Sequence, residues 1–247
     1  MKWRVIPLHV TDAYMAMGID EAVLEAVANG MQPTLRFWRW NPSAVSIGSF
    51  QSIEDEVNLE RCSELGVDIV RRITGGGAVY HDFDGEITYS IAGRLEIFPK
   101  DIRESYRLIC GWIIDGLKNL GIEAQFVPVN DIVVNGKKIS GNAQTRRRGV
   151  LLQHGTILCD LDVRKMFSLL KVSQEKISDK MIKSVEERVT KLLNFGSFSM
   201  EEVYRALLKG FTHGKEFEIG QLTQTELGRA KELAETKYRS HEWNFTR

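Results

Sequence analysis

The chain has 247 residues, with 33 Lys and Arg against 33 Asp and Glu, 43% hydrophobic residues and three widely spaced cysteines. That composition excludes a disordered chain, a broadly cationic nucleic-acid binder, a disulfide framework and a zinc-finger spacing. No apolar run reaches the roughly 18 residues of a membrane span, and no secretory h-region follows Met1, so no membrane partner and a reducing cytoplasm are expected.

A first helix is predicted over 12–29, with Ile19, Val23, Ala26 and Val27 at helical spacing and Gly30 as its stop. Strands follow at Thr34–Trp40 and Ala44–Gly48, then a short helix from Asn58 to Gly66. A strand at Val67–Arg72 runs into Thr74-Gly75-Gly76-Gly77, with further strands at Ala78–His81 and Glu86–Ala92. A long helix over 101–120 carries Ile102, Tyr106, Ile109, Ile113 and Leu117 as its apolar stripe. Strands at Ile122–Val127 and Val150–Cys159 flank a hairpin, and from about residue 162 the pattern turns helical. Strands mixed with helices at the start, middle and end predict α+β rather than regular βαβ alternation. One domain over 1–247 is expected, with a small helical C-terminal lobe from about 162 as an option.

The hairpin is set by Asn135-Gly136, a pair suited to the two positive φ angles of a type I′ turn. With a two-residue loop, Val134 faces Lys137, Ile132 faces Ile139, and Asp131 faces Ser140. Ile132, Val134 and Ile139 then share an apolar face, whereas Asp131, Val133, Lys138 and Ser140 share a mostly polar one. Asp131 and Lys138 become diagonal neighbours, roughly 7 Å apart at Cα. This suits a metal-binding carboxylate beside a phosphate-binding ammonium, and equally a solvated cross-strand ion pair. From Ile132 to Cys159 there is no Asp or Glu, while Lys137, Lys138, Arg146, Arg147 and Arg148 make a one-signed segment suited to an anionic ligand or acidic partner. It has little aromatic interleaving for nucleic acid.

Three consecutive glycines after Arg71-Arg72-Ile73-Thr74 fit a backbone that lies against a ligand, with paired arginines suggesting a carboxylate or phosphate nearby. A plain wide turn explains the glycines as well. Neither a P-loop nor a dinucleotide-binding fingerprint is present, because no Gly-Lys-Ser/Thr follows and a strand, not a helix, comes next.

The run Arg71–Asp82 resembles the signature of the lipoate–protein ligase family. Further matches follow in family order: Ile47-Gly48 with Gln51 and Asn58, Asn130-Asp131, Lys137–Gly141 with Ala143, His154-Gly155-Thr156, Ser184-Val185 with Arg188-Val189, Lys237-Tyr238 and Glu242-Trp243-Asn244. The resemblance implies a mixed, largely antiparallel central sheet flanked by helices, the fold shared with octanoyl/lipoyl transferases and biotin ligases. It implies activation of lipoate with ATP and Mg²⁺ to lipoyl-AMP, then transfer to a lysine of lipoyl domains of 2-oxoacid dehydrogenase complexes or of the glycine-cleavage H protein. By position, Lys138 resembles the family's essential lysine. Arg72, Thr74, Gly75, Gly76, Gly77, Ala78, Val79 and Tyr80 resemble the segment lining lipoate and nucleotide, with His81, Gly141 and His154 near it. Asn130 and Asp131 resemble the nucleotide and Mg²⁺ contacts.

The sequence stops just after Glu242-Trp243-Asn244, where longer ligases continue into an accessory domain, so a separate accessory subunit is expected. The alternatives are an ATP-independent octanoyl/lipoyl transferase and a non-catalytic protein that holds an acidic carrier. The transferases of this superfamily work through a cysteine shortly before the lysine hairpin, and Gln125–Asp131 contains none. The non-catalytic reading leaves the glycines and the Asp131/Lys138 pair without a purpose.

Overall fold

A computed structural model describes residues 1–171 and 179–246. β1 (Trp3–Thr11) leads into α1 (Ala13–Ala28), β2 (Thr34–Trp40) and β3 (Ala44–Ile47). Two short helices, α2 (Ile53–Glu56) and α3 (Leu59–Glu64), precede β4 (Asp68–Arg71), and β5 (Val79–His81) and β6 (Glu86–Arg94) follow the glycine turn. After α4 (Ile102–Lys118) come β7 (Gln125–Val127), β8 (Asp131–Val134), β9 (Lys137–Arg147) and β10 (Val150–Leu158). The remaining elements are α5 (Val163–Leu169), α6 (Asp179–Glu186), α7 (Met200–Thr212), β11 (Phe217–Ile219), α8 (Gln224–Leu233) and α9 (His241–Asn244).

A large sheet runs in the order β11-β1-β2-β6-β10-β9-β8-β7, antiparallel except for the β11–β1 and β1–β2 pairs. A small sheet, β4-β3-β5, sits beside it. This is the mixed, largely antiparallel α+β arrangement that the sequence predicts. It also contains two strands absent from that prediction, β1 and β11. β1 pairs with Thr34–Arg36 and again with Trp38–Trp40, and the register shifts between Ile6 and His9. Pro7 lies in that gap, has no N–H to donate and hides the strand's alternation.

The helices cover both faces of the large sheet. α4 and α7 pack on one face, where Ile109, Ile113, Leu117, Leu207 and Phe211 meet Phe37 and Tyr89. Each such side chain contributes about 1.5–3 kcal/mol by leaving water. α1 and α8 pack on the other face over Trp38, Trp40 and Leu152. The segments after residue 162 are thus distributed, with α7 on one face, α8 on the other and β11 at the sheet edge. Asp12 caps α1 by accepting from the Tyr14 and Met15 N–H groups, and Asp101 caps α4 through Glu104. The α4 stripe begins one turn later than predicted. Ile102 is 55% exposed, because as the first helical residue it has no preceding turn to lean over.

The β8–β9 hairpin has the expected tip: Asn135 and Gly136 take φ of 50° and 75°, and Val134 pairs with Lys137. Below it the register departs from a plain ladder. Val133 pairs with Lys138, but Ile132 pairs with Ser140 and Asp131 with Gly141, so Ile139 is an extra residue on β9. The bulge turns Ser140 into the core instead of onto the polar face. It occurs where β9 changes partners. Ser140 still pairs with β10, whereas Lys138 exchanges backbone hydrogen bonds with Arg188 and Thr190.

Candidate active site

A cavity of about 320 Å³ opens between the large sheet, the glycine turn and the segments after β10. Arg72, Gly76, Gly77, Ala78, Val79, Tyr80, His81, Asn130, Lys138, Gly141 and His154 all line it. Thr74, Gly75 and Asp131 stand just outside the lining, Thr74 and Gly75 bonded to Arg72 and Asp131 paired with Lys138. The cavity is built mainly by strands: β2 supplies Trp38 and Trp40, β6 Thr88, β9 Gly141 and Asn142, and β10 His154, Gly155, Thr156 and Leu158. The apolar wall, which the sequence does not identify, comes from Met17 and Trp38 and from Leu161, Met166, Leu170 and Val189.

The two arginines do not present free guanidinium groups to a ligand. Arg71 donates to the carbonyls of Gly48, Gln51, Trp243 and Asn244. Its backbone is clamped in return, with its N–H on Asn244 Oδ1 at 2.7 Å and its carbonyl accepting from Trp243 Nε1 at 2.8 Å. The Glu-Trp-Asn segment is therefore a strut behind β4. Arg72, 5% exposed, donates from Nε to Thr74 Oγ1, from Nη1 to the Ser46 carbonyl and hydroxyl, and from Nη2 to the carbonyls of Gly75 and Gly77 at 2.8 Å each. All five of its N–H bonds are in use. Burial pushes its guanidinium pKa down to about 10, which still leaves it charged near neutrality. Arg72 thus shapes the glycine loop from behind, while Arg71 ties β4 to the turn after β3 and to the Glu-Trp-Asn segment.

Both predicted histidines reach the cavity, each backed by a buried carboxylate. His154 Nδ1 lies 2.9 Å from Asp20 Oδ2 and its Nε2 lies 2.7 Å from Thr74 Oγ1. His81 Nδ1 lies 2.6 Å from Glu86 Oε1 and its Nε2 lies 2.8 Å from Ser46 Oγ, while its ring stacks on Trp40 at 4.1 Å. Asp20–His154–Thr74 has the order of a nucleophile triad, but Thr74 is fully buried outside the lining and its oxygen already takes a hydrogen from Arg72. It is a strut, not a nucleophile. The sequence reading missed Asp20, Ser46, Glu86 and Asn142. Asp20 carried a signal: it lies four residues after Ala16 and three before Val23, on the buried stripe of α1, where a carboxylate requires a partner.

Burial lowers the His154 pKa against the opposing pull of Asp20, and burial followed by Arg36 lowers that of His9 to about 4. Burial raises the Asp20 carboxyl, yet Arg36 and His154 bring it below its usual range. A histidine whose folded pKa is depressed contributes stability above the unfolded value and loses it as pH falls. Stability is therefore expected to fall between about pH 6.5 and 4, with Asp20 adding loss at the acid end in the same direction. His9 alone accounts for a loss of about 2 kcal/mol at pH 5. Thermal unfolding at pH 7.5 and pH 5, repeated on His9→Gln, checks this. The variant should show the smaller difference.

At the mouth of the cavity Lys138 Nζ is 2.7 Å from Asp131 Oδ1, and the two side chains are 41% and 34% exposed. Gly141 faces Asp131 across the bulge, and a Cβ there would lie 2.9 Å from Lys138 Cε, so glycine leaves the path along which the lysine reaches. Asn130 is held by a reciprocal pair with Asn142: its side-chain nitrogen donates to the Asn142 carbonyl, and Asn142 Nδ2 donates to the Asn130 carbonyl at 2.9 Å. Tyr89 fixes the Asn142 amide by donating to its Oδ1 at 2.6 Å. Among the described residues no three His, Cys, Asp or Glu side chains are grouped to hold a metal. The one carboxylate beside Lys138 fits a magnesium ion that takes most of its ligands from phosphates and water, not a closed protein cage.

The three cysteines stand apart from this chemistry. Cys62, Cys110 and Cys159 are buried, and none lines the cavity. Burial raises their thiols to about 11, 12 and 12. Among the described residues no helix is long and apolar enough to cross a membrane.

The sequence model of a family described as the lipoyl protein ligase A/B catalytic domain matches residues 12–212. The chain belongs to this family. It is 37% identical to an octanoyltransferase LipM of Brevibacillus brevis, over 100% of this chain and 99% of that protein. Among solved structures it is similar to an archaeal bi-partite lipoate protein ligase, solved with its E2 lipoyl domain, from Thermoplasma acidophilum. That match has a TM-score of 0.90 and 33% identity, covering 99% of this chain and 96% of the other. It is also similar to a lipoate-protein ligase A bound with ATP, with a TM-score of 0.86 and 32% identity over 99% of both chains. The family makes this chain an enzyme of the lipoate ligase and octanoyltransferase superfamily.

Proposed function

We propose that this chain activates an acyl acid of the lipoate class with ATP and passes the acyl group to a lysine of a lipoyl carrier domain. One observation carries the choice of adenylate over thioester. All three cysteines are buried away from the cavity with raised thiol pKa values, so no thiolate is poised to take the acyl group. In the first step an acyl carboxylate oxygen attacks the α-phosphorus and the bond to pyrophosphate breaks. In the second, the carrier amine attacks the acyl carbonyl carbon, the bond to AMP breaks and the amine loses a proton. Lys138 stabilises the charge that builds on the phosphate and carbonyl oxygens. Asp131 and Asn130 would hold the phosphate side, where a magnesium ion would supply charge to screen the phosphates. The apolar wall takes the acyl chain. The described bi-partite character of the Thermoplasma acidophilum ligase supports a second chain for adenylation here, and its E2 lipoyl domain supports the carrier class.

A second reading is ATP-independent octanoyl or lipoyl transfer between carriers, and the name of the 37%-identical relative favours it. Both readings end in acylation of a carrier lysine and share the role of Lys138. Purified chain, alone and with a candidate second subunit, separates them by acyl-dependent pyrophosphate release and by the mass of an added lipoyl domain. On the adenylate reading, Cys62→Ala, Cys110→Ala and Cys159→Ala each keep transfer within about threefold, since a thiol that takes no part in bond making leaves the barrier unchanged. Transfer without ATP that disappears with one cysteine would establish the second reading.

A further inference from the structure

Two hydrogen-bonded chains from opposite sides end on one buried guanidinium. In the first, Asp20 meets His154 Nδ1, His154 Nε2 meets Thr74 Oγ1, and Arg72 Nε donates to that oxygen at 3.1 Å. In the second, Glu86 meets His81 Nδ1, His81 Nε2 meets Ser46 Oγ, and Arg72 Nη1 donates to that oxygen at 3.1 Å. An arginine only donates. An ionised carboxylate only accepts, so each Nδ1 carries the proton and points it at its acid. In a neutral ring each Nε2 then accepts from the hydroxyl, which receives an Arg72 N–H in turn. Trp40 and Thr88 reinforce the second chain, since Trp40 Nε1 donates to Thr88 Oγ1 and Thr88 donates to Glu86. The hydrogens therefore run one way, from the arginine outward to two acids. The three N–H groups of Arg72 left over hold the Ser46, Gly75 and Gly77 carbonyls.

We propose that Asp20 and Glu86 are positioning residues for acyl-substrate binding. Each fixes the tautomer of one cavity histidine and, through a hydroxyl, the guanidinium that holds the glycine loop against the cavity. This rests on reading the cavity as the acyl site. Neither carboxylate lines the cavity, so neither touches the ligand. A histidine turned to its other tautomer would set a ring lone pair against a buried carboxylate oxygen, at 2.9 Å for His154 and 2.6 Å for His81.

The test joins a spectroscopic and a kinetic readout on the full chain with its second subunit. Histidine ¹⁵N NMR at pH 7.5, assigned with His81→Gln and His154→Gln, should show both rings neutral and protonated at Nδ1. An Nε2–H tautomer or an imidazolium at either ring overturns the proposal. Asp20→Asn and Glu86→Gln keep shape but remove the charged acceptor, and each should raise KM for the acyl acid by about tenfold or more while kcat stays within about threefold. Glu226→Gln is the control for mere destabilisation. Its carboxylate pairs with Arg4 at 2.6 Å, equally buried but outside the cavity lining, and it should lower the unfolding temperature with KM unchanged. If Asp20→Asn lowers the unfolding temperature and leaves KM at the wild-type value, the acid is structural and the proposal fails alone. If the wild-type chain binds no acyl acid, the functional reading fails first and the positioning role with it, whichever tautomers are found.

Discussion

Replacing Lys138 with alanine is expected to lower acyl transfer by about two to three orders of magnitude while leaving the fold intact. The side chain is 41% exposed and its ion pair with the 34%-exposed Asp131 lies at the cavity mouth. Such a pair contributes about 0–1 kcal/mol, so the unfolding temperature should move by no more than about 2–4 °C. On the proposed reading the loss falls on catalysis, because a compact cation there would meet charge that builds as bonds are made and broken. Lys138→Arg is not a rescue. The lysine stem runs through space that a Cβ on Gly141 would crowd, at 2.9 Å from Lys138 Cε, and a planar fork fills that path differently, so recovery to no more than about a tenth of the wild-type rate is expected. Single-turnover transfer to a lipoyl domain, measured beside carrier affinity, checks both. A docking protein would keep its affinity and show no dependence on this ammonium. Wild-type transfer by Lys138→Ala would remove the lysine from either enzymatic reading.

The sequence carried this pair further than it carried the ladder that places it. Alternation put Asp131 and Lys138 on one side of the hairpin, and the 2.7 Å contact is there. It did not reveal the bulge at Ile139, because a bulge is decided by what the other edge of the strand pairs with. Here that is the backbone at 188–190, about fifty residues downstream. β1 was hidden for a local reason, the proline in its middle. The glycine run was legible as a ligand-facing loop or a plain wide turn, and Gly76 and Gly77 do line the cavity, but its arginines were not legible as struts. A cation before a glycine turn looks the same in sequence whether it faces an anion or a set of carbonyls. The carboxylates behind the histidines follow the same rule. Asp20 is 134 positions from His154, and only the fold brings α1 under β10. Residues that touch a ligand are constrained by chemistry that leaves a recognisable pattern. Residues that hold those residues are constrained by tertiary distance, which does not.

Gly48→Ala should cost both stability and activity, and the contrast with Gly77→Ala separates how the glycine loop is held from what it presents. A Cβ on Gly48 would stand 2.0 Å from the Gly76 carbonyl oxygen and 3.2 Å from the Gly75 carbonyl carbon, both backbone atoms. Gly48 cannot retreat easily, since its N–H donates to Gln51 Oε1 and its carbonyl accepts from Arg71 Nη1. Nor can the loop, because Arg72 holds it by the carbonyls on either side of Gly76, and Gly76 itself sits at φ 98°. Something with little freedom must move, at a cost of about 1–3 kcal/mol. The displaced loop would no longer match the cavity, and kcat/KM for acyl transfer should fall by about a hundredfold. At Gly77 a Cβ meets nothing within 4 Å, yet the residue lines the cavity. Gly77→Ala should therefore unfold at the wild-type temperature and show its defect in substrate binding alone. Thermal unfolding and steady-state kinetics on the two variants read the difference. A Gly48→Ala chain with wild-type stability and kcat/KM would mean that the loop is not seated on the β3 turn, and that Arg72 holds it in some other posture.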